Sequence, residues 1–238
     1  MQKVLITGAA GRIGRTLRAG LKDRCQLRLM DRVPIEGAEV DDVHVGDVAD
    51  VEWMAQVCQG VDAVVHLAGD PSTRAPWDSI LEVNIKGTYG AYEGARRGGA
   101  QRLVFASSNH ATGYYEQEGV YTKPEMPVRP DSLYGVSKSF GEDLARFYVD
   151  EYGMKAYCLR IGSFQPDESV KNRSSDRILS TWLSYRDAVQ LVWRCLQVEG
   201  VNFGVYYGIS GNTRAYWDTH NARSELGYAP EDDAERYA

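Results

Sequence analysis

The stretch Val4-Leu5-Ile6-Thr7-Gly8-Ala9-Ala10-Gly11-Arg12-Ile13-Gly14 decides the fold class of this 238-residue chain. Its apolar beginning predicts a strand over residues 2–7, its three glycines predict a tight turn, and residues 15–23 predict the next helix. A dinucleotide-binding fingerprint requires this order of strand, glycine turn and helix. In such a turn the backbone approaches a pyrophosphate, which the helix N-terminus then binds. The residues expected at this cofactor site are Gly8, Gly11, Arg12, Ile13 and Gly14.

A second predicted strand, residues 27–31, ends in a carboxylate 17 residues after Gly14. At this position an acid accepts hydrogen bonds from the adenosine ribose hydroxyls. Asp31 would repel a 2′-phosphate, which favours NAD over NADP as the cofactor. Arg12 and Arg32 keep NADP open, because a guanidinium pairs well with a phosphate.

Further apolar runs alternate with helical segments along the chain. The predicted strands are 43–45, 61–69, 102–106, 155–160 and 201–207, and the predicted helices are 50–59, 79–98, 134–153 and 185–196. This alternation predicts an α/β fold, a doubly wound parallel sheet of the Rossmann type with right-handed crossovers, in a single domain over residues 1–238. The charged residues 167–177 predict a loop, and the tail from 208 is rich in turn formers.

Ligand contacts are expected where the parallel strands end, because a doubly wound sheet binds ligands at that edge. The strand ends carry Asp47 and Val48, then Leu67, Ala68 and Gly69, then Ser107 to His110, and then Ile161 to Phe164. Asp47 can accept a hydrogen bond from the adenine amino group. The small residues after Leu67 would let a cofactor lie close to the strand end.

Tyr134 and Lys138 are spaced i and i+4 in a predicted helix, which puts both side chains on one face, one turn apart. A tyrosine with an ordinary pKa of ~10 is a poor base at neutral pH. A nearby lysine ammonium favours the tyrosinate and is expected to lower the tyrosine pKa. The pair can then take a proton from a hydroxyl or give one to a carbonyl.

Composition argues against several classes of partner. The net charge of −6, with dispersed Lys and Arg, argues against nucleic acid and membrane surfaces. The most apolar stretch, 61–69, is far too short to span a membrane, and the N-terminus has no signal-peptide hydrophobic region. The four cysteines form no C-x-x-C pair and the four histidines no metal-ligand spacing. We therefore expect a cytoplasmic protein without a metal.

Taken together, these residues resemble the extended short-chain dehydrogenase/reductases, in the sugar epimerase/dehydratase branch. The matching positions, in the family's order, are Thr7-Gly8-x-x-Gly11-x-x-Gly14, Asp31, Asp47, Asn84, Ser108 and Tyr134-x-x-x-Lys138. The resemblance implies that Ser108 and Tyr134 hold the reacting oxygen and that Lys138 binds the nicotinamide ribose of NAD. It also implies that Asn84 helps to order the lysine and that Phe164 lies beside the nicotinamide.

Within this branch the chain is most similar to the uronate dehydrogenases. The similar segments are Phe105–His110, Gly113–Tyr115, Arg129–Lys138, Arg160–Ser163 and Arg177–Trp182. Such enzymes use NAD to oxidise C1 of galacturonate or glucuronate to an aldarolactone. The resemblance implies sugar contacts from Ser72, Ser108, Asn109, His110 and Ser163. It implies that Arg177 clamps the C6 carboxylate, a role that suits a guanidinium fork, and that the substrate-binding portion comes mainly from 163–185 and 208–238.

Other functions stay open at this point. A relative that oxidises a neutral aldose or a sugar phosphate would share the catalytic residues, and Arg173 and Arg177 suit a phosphate as well as a carboxylate. A non-catalytic NAD(P)-sensing protein would have no need to keep Ser108, Tyr134 and Lys138 together. A homo-oligomer is also expected, although the apolar faces of helices 79–98 and 134–152 could equally cover the sheet.

Overall fold

Parallel strands form one seven-stranded sheet in this computed structural model, which describes residues 1–38, 42–172 and 175–238, apart from the side chain at 172. The strands are β1 (Lys3–Thr7), β2 (Gln26–Asp31), β3 (Asp42–Val45), β4 (Ala63–His66), β5 (Arg102–Ser108), β6 (Lys155–Ile161), β7 (Ser163–Phe164), β8 (Trp182–Leu183) and β9 (Phe203–Gly208). The sheet order is β3-β2-β1-β4-β5-β6-β9, and β7 pairs with β8 separately. The doubly wound parallel sheet predicted from the sequence is confirmed.

Helices connect these strands and cover both faces of the sheet. They are α1 (Arg12–Leu21), α2 (Val51–Val57), α3 (Trp77–Ser79), α4 (Gly87–Gly98), α5 (Gly113–Gln117), α6 (Leu133–Tyr152), α7 (Asp167–Asn172), α8 (Asp176–Thr181), α9 (Tyr185–Gln197) and α10 (His220–Leu226). A π-helical segment, Ile80–Lys86, joins α3 to α4, and 3-10 turns span Asn109–Thr112 and Ala234–Tyr237. Within the described part of the chain, no helix has the length and apolar character needed to cross a membrane.

The core consists of two apolar layers, one on each face of the sheet. Helices α1, α9 and α10 contribute to the first layer, where Leu17 and Leu191 pack with Val65. Helices α2, α4 and α6 contribute to the second, where Tyr92 and Tyr148 pack with strand residues. Since both faces of the central strands are covered, those strands are apolar throughout instead of alternating.

The strand order reverses at β1, which pairs with β2 on one side and β4 on the other. The helices after β1 and β4 therefore lie on opposite faces, and their connections diverge beyond the strand ends. In a doubly wound sheet this is the crevice in which a dinucleotide binds.

The glycine turn is packed too tightly for side chains. Gly8 has a φ of +69°, and a β-carbon there would lie 2.7 Å from the backbone nitrogen of Ala68. A β-carbon at Gly14 would lie 2.5 Å from the carbonyl oxygen of Gly8. These close approaches let α1 begin at Arg12, three residues earlier than predicted, and bring the turn against the end of β4.

The loop predicted for residues 167–177 is wrong, because α7 and α8 occupy most of it. Ser175 caps α8 by accepting a hydrogen bond from the backbone N–H of Ile178 at 3.3 Å. Val170 and Leu179 are buried in a small apolar cluster with Trp182 and Ala234. The exposed charged residues hide this short apolar pattern in the sequence. Arg173, named above as a possible phosphate contact, lies outside the described residues.

Replacing Gly8 by Ala tests the close approach at β4. The new methyl group would meet the Ala68 backbone and also adopt a left-handed φ, so we expect a loss of about 3 kcal/mol in the free energy of unfolding. Gly60→Ala is the matched control, since Gly60 has a φ of +70° and nothing within 4 Å of the added carbon. It should lose only about 1 kcal/mol. Equal losses in urea unfolding would contradict the packing argument.

Candidate active site

Two adjoining cavities lie along the carboxyl edge of the sheet. The first, of about 390 Å³, lies over the ends of β1, β2 and β4. The second, of about 490 Å³, lies over the ends of β5 and β6. Leu67, Gly69, Asp70 and Pro71 line both cavities, so the two form one continuous cleft.

The first cavity collects most of the predicted cofactor residues. It is lined by Gly8, Gly11, Asp31, Asp47, Val48, Leu67, Ala68 and Gly69, and also by Arg32. Gly14 is buried in the first turn of α1. Asp31 Oδ2 accepts a hydrogen bond from the backbone N–H of Ala10 at 2.9 Å, which joins the glycine turn to the end of β2. A turn built of glycine and alanine beside a carboxylate fits the pyrophosphate and adenosine ribose of a dinucleotide.

Asn84 links this cleft to the Tyr134–Lys138 helix. Its Oδ1 accepts from the backbone N–H of Asp70 at 2.7 Å, and its Nδ2 donates to the Asp70 carbonyl at 3.1 Å and to Ser137 Oγ at 3.1 Å. Asn84 lies in the π-helical segment, a distortion that is frequent at functional sites. It thus fixes the loop after β4 against the turn of α6 that carries Lys138.

Tyr134 and Lys138 are positioned by the first turns of α6. Ser132 caps this helix, its Oγ accepting from the backbone N–H of Gly135 at 3.1 Å. Lys138 is buried, and its Nζ donates to the carbonyl oxygen of Ala106 at 2.8 Å. That ammonium lies 5.4 Å from the centroid of the Tyr134 ring. The predicted pairing of the two side chains on one helix face is therefore confirmed.

The predicted direction of the Tyr134 pKa is wrong for the chain by itself. Burial raises this pKa, a nearby Asp70 charge raises it further, and a hydrogen bond with Ser108 acts in the opposite direction. Burial also lowers the pKa of Lys138 to about 8. Desolvation is the largest cause of both pKa shifts, and the lysine ammonium is directed to the Ala106 carbonyl.

The second cavity brings together the residues expected to act on a sugar. Its lining includes Ser108, Asn109, His110, Tyr134, Lys138, Ser163 and Arg177. His110 Nδ1 lies 2.8 Å from Asp131 Oδ2, and its ring lies edge-on to Tyr134 at 5.8 Å. Arg177 Nη1 donates to Ser163 Oγ at 3.0 Å. The wall thus combines a proton-transfer group, hydroxyl groups and a guanidinium.

Arg12, Ile13 and Phe164, predicted as cofactor contacts, lie on the wall of this second cavity. The Phe164 ring stacks on Tyr185 at a centroid distance of 4.6 Å. Its carbonyl oxygen accepts from Arg12 Nη1 at 3.2 Å. Arg12 therefore ties the glycine turn to β7, at the junction of the two cavities.

Ser72 is placed differently from the other predicted sugar contacts. It is exposed, and its Oγ accepts a hydrogen bond from the backbone N–H of Arg74 at 3.2 Å. Its backbone N–H donates to Asp70 Oδ1 at 3.0 Å. The structure thus brings Asp70 and Pro71 of this loop to the cavity wall and leaves Ser72 on the loop surface.

Comparison with known proteins agrees with this geometry. Residues 4–184 match the NAD dependent epimerase/dehydratase family. The chain belongs to this family. It is 43% identical to a uronate dehydrogenase of Pseudomonas syringae pv. tomato, over 98% of this chain and 83% of that protein. It is 38% identical to an NAD-dependent glucose-6-phosphate dehydrogenase of Haloferax volcanii, over 99% of this chain and 95% of that protein.

A solved structure of a family member is also similar. It is the crystal structure of a tyrosine-to-alanine variant of uronate dehydrogenase from Agrobacterium tumefaciens, complexed with NAD. The two chains share 39% identity and superpose with a TM-score of 0.91, over 100% of this chain and 87% of that one. The fold therefore follows that of the epimerase/dehydratase family, and NAD is its cofactor.

Some residues on the wall of the cleft were not predicted from the sequence. Asp70 and Gln165 line the cleft, and Asp70 directly follows the predicted Gly69, so the strand end itself was a usable signal. Glu116 binds Arg177, but 61 positions separate the two, and no local pattern connects them. Ser107, which the sequence analysis placed at a ligand edge, lines the second cavity and donates from its Oγ to Glu142 Oε1 at 2.6 Å.

The burial of Lys138 predicts a pH-dependent stability. With a folded-state pKa of about 8 and an unfolded pKa of ~10.4, the unfolded chain binds more protons between these values. Between these values the free energy of unfolding therefore rises with pH, by up to about 1.4 kcal/mol per pH unit, and this contribution is lost as pH falls to 8.

The stability difference between the wild type and Lys138→Met should accordingly shift in favour of the wild type from pH 7.5 to pH 9.5. Urea unfolding at several pH values measures it, and the comparison cancels groups common to both chains. A difference that does not change with pH would contradict a depressed lysine pKa.

Proposed function

We propose that the chain oxidises an aldohexuronic acid, galacturonate or glucuronate, at C1 to an aldarolactone with NAD as cofactor. The observation that carries this proposal is that one cavity wall holds Tyr134, Ser108 and the guanidinium of Arg177. A sugar whose anomeric oxygen lies at Tyr134 can then place its C6 carboxylate at Arg177. Relatives named uronate dehydrogenase, at 41% to 43% identity, support the assignment.

The side chains divide the chemistry among them. Tyr134 takes the proton of the anomeric hydroxyl, and Ser108 donates a hydrogen bond to the same oxygen. A bound NAD would supply the hydride acceptor for C1. Such proton transfer to a positioned base is worth ~10²–10⁴-fold in rate. Because burial raises the pKa of Tyr134, we expect oxidation to become faster as pH rises above neutrality.

The two cavities together would hold the cofactor through groups already described. The backbone at Gly8 and Gly11 would approach the pyrophosphate, and Asp31 would accept hydrogen bonds from the adenosine ribose hydroxyls. Lys138 would donate to the nicotinamide ribose. Asp31 lines the cavity and favours NAD over NADP, because its charge would repel a 2′-phosphate. The substrate-binding portion would be built mainly from 163–185 and 208–238.

A second candidate is the oxidation of a sugar phosphate. A guanidinium binds phosphate as readily as carboxylate, and a relative covering nearly the whole chain is named NAD-dependent glucose-6-phosphate dehydrogenase. A non-catalytic NAD(P)-sensing protein is disfavoured, because Ser108, Tyr134 and Lys138 meet in one cavity.

A cytoplasmic location is also proposed, supported by four free, buried cysteines, which fit a reducing compartment.

A homo-oligomer is proposed as well. The exposed rings of Tyr89 and Phe147, on α4 and α6, support it.

The proposed activity is tested by NADH formation at pH 8 with galacturonate, glucuronate, glucose and glucose 6-phosphate in parallel. We expect turnover of the uronates.

Tyr134→Phe should lower kcat by about 10²- to 10⁴-fold. Arg177→Ala should raise KM for uronates by roughly 10- to 100-fold with a smaller change in kcat, because it removes ground-state binding.

Turnover of glucose 6-phosphate alone would discard the uronate assignment and keep the Tyr134 chemistry. Binding of NAD without any turnover would instead favour the sensing protein.

A further inference from the structure

Glu116, the acidic residue of α5, forms an ion pair with the proposed acid clamp. Its Oε1 accepts from Arg177 Nε at 2.6 Å, and its Oε2 accepts from Nη2 at 3.3 Å. The Glu116 carboxylate is itself held from two other sides. Tyr216 donates its hydroxyl to Oε1 at 3.1 Å, and Asn109 Nδ2 lies 3.4 Å from Oε2. Helix α5, helix α8, the end of β5 and the C-terminal segment thus meet at one carboxylate.

These contacts occupy one edge of the guanidinium. The fork has five N–H donors, and Glu116 takes the edge formed by Nε and Nη2. The other edge carries Nη1, which donates to Ser163 Oγ on the wall of the second cavity. Glu116 therefore lies behind Arg177 and leaves the edge beside Ser163 for a ligand in that cavity.

Arg177 depends on such contacts because its side chain is 46% exposed, whereas that of Glu116 is 20% exposed. A free arginine side chain has large rotamer entropy, which is lost when it binds a ligand. A partner that fixes the guanidinium before binding removes part of this loss. Preorganisation of this kind raises affinity without adding a ligand contact.

We propose that Glu116 is the positioning residue for recognition of the substrate's acid group, acting through Arg177 and held by Tyr216. This inference rests on the proposed function, since it assumes an anionic sugar in the second cavity. Glu116 also repels a substrate carboxylate. Water screens that repulsion at an exposed guanidinium, so the positioning effect is the larger one.

The test compares Glu116→Ala with the wild type on galacturonate and on galactose, at saturating NAD. We expect KM for galacturonate to rise roughly tenfold, because Arg177 loses its fixed orientation. The kcat for galacturonate should change by less than about twofold, because the clamp contributes ground-state binding. KM for galactose, which has no carboxylate, should stay unchanged. Tyr216→Phe should raise the galacturonate KM by a smaller factor, because Glu116 keeps its bonds to Arg177.

Glu118→Ala is the matched control. It removes the same charge two residues further on, from a bidentate pair with Arg129, with both contacts at 2.8 Å. Its KM values should match the wild type. An intact NAD affinity in each variant shows that the fold and the first cavity are preserved.

Other results overturn the inference. A lower galacturonate KM in Glu116→Ala would mean that Glu116 competes with the substrate for Arg177, and an equal rise for both sugars would mean a general structural role. If the wild type oxidises only neutral sugars, the proposed function fails by itself. The role of Glu116 is then tested with galacturonate as a competitive inhibitor of galactose oxidation. The inhibition constant of galacturonate should rise roughly tenfold in Glu116→Ala. An unchanged inhibition constant would overturn the inference.

Discussion

Parallel pairing is the constraint on which the rest of the molecule depends. Every strand of the seven-stranded sheet pairs in parallel with its neighbours, so all of the carboxyl ends lie at one edge. Each strand must then be followed by a crossover that returns to the opposite edge, and the helices of these crossovers cover both faces. Residues as distant in sequence as Gly8, Ser108 and Ser163 therefore meet in one cleft, and they do so because of strand direction alone.

Helix α6, which carries Tyr134 and Lys138, approaches the sheet very closely. A β-carbon at Gly135 would collide with the His110 carbonyl, and one at Gly141 would collide with the Phe105 ring. The approach buries Lys138, whose depressed pKa records the cost of removing an ammonium from water. A buried ion pair holds the same face of this helix, one turn after Lys138. Arg160 on β6 donates to both oxygens of Glu142 on α6, at 2.9 and 2.8 Å. Glu142 also accepts a hydrogen bond from Ser107 Oγ. Leaving either charge without its partner would cost about 3–5 kcal/mol, so this pair fixes α6 next to Ser108.

The sequence was sufficient for those parts of the protein that depend on local patterns. The apolar runs identified the seven strands of the main sheet. The glycine turn and Asp31 were predicted to lie together, and they line one cavity, because backbone approach and strand ends leave short-range signals. Helices α7 and α8 were not predicted, because few apolar residues mark them among exposed charges. The direction of the Tyr134 pKa could not be predicted either. It depends on how deeply the ring is buried, and burial is a property of the whole fold.

The two halves of the cleft differ in how they are encoded. The first cavity is lined partly by a glycine turn whose backbone packs closely on β4, so glycine spacing reveals it. The second cavity is lined by side chains from separate segments that position one another. Arg177 was identifiable by resemblance, but its partner Glu116 and the Tyr216 that holds Glu116 lie 61 and 39 positions away from it. An arginine in the sequence therefore indicates that an anion can be bound, whereas the direction in which its guanidinium points depends on contacts that only the fold creates. Substrate preference among such enzymes can accordingly change through residues that never touch the sugar.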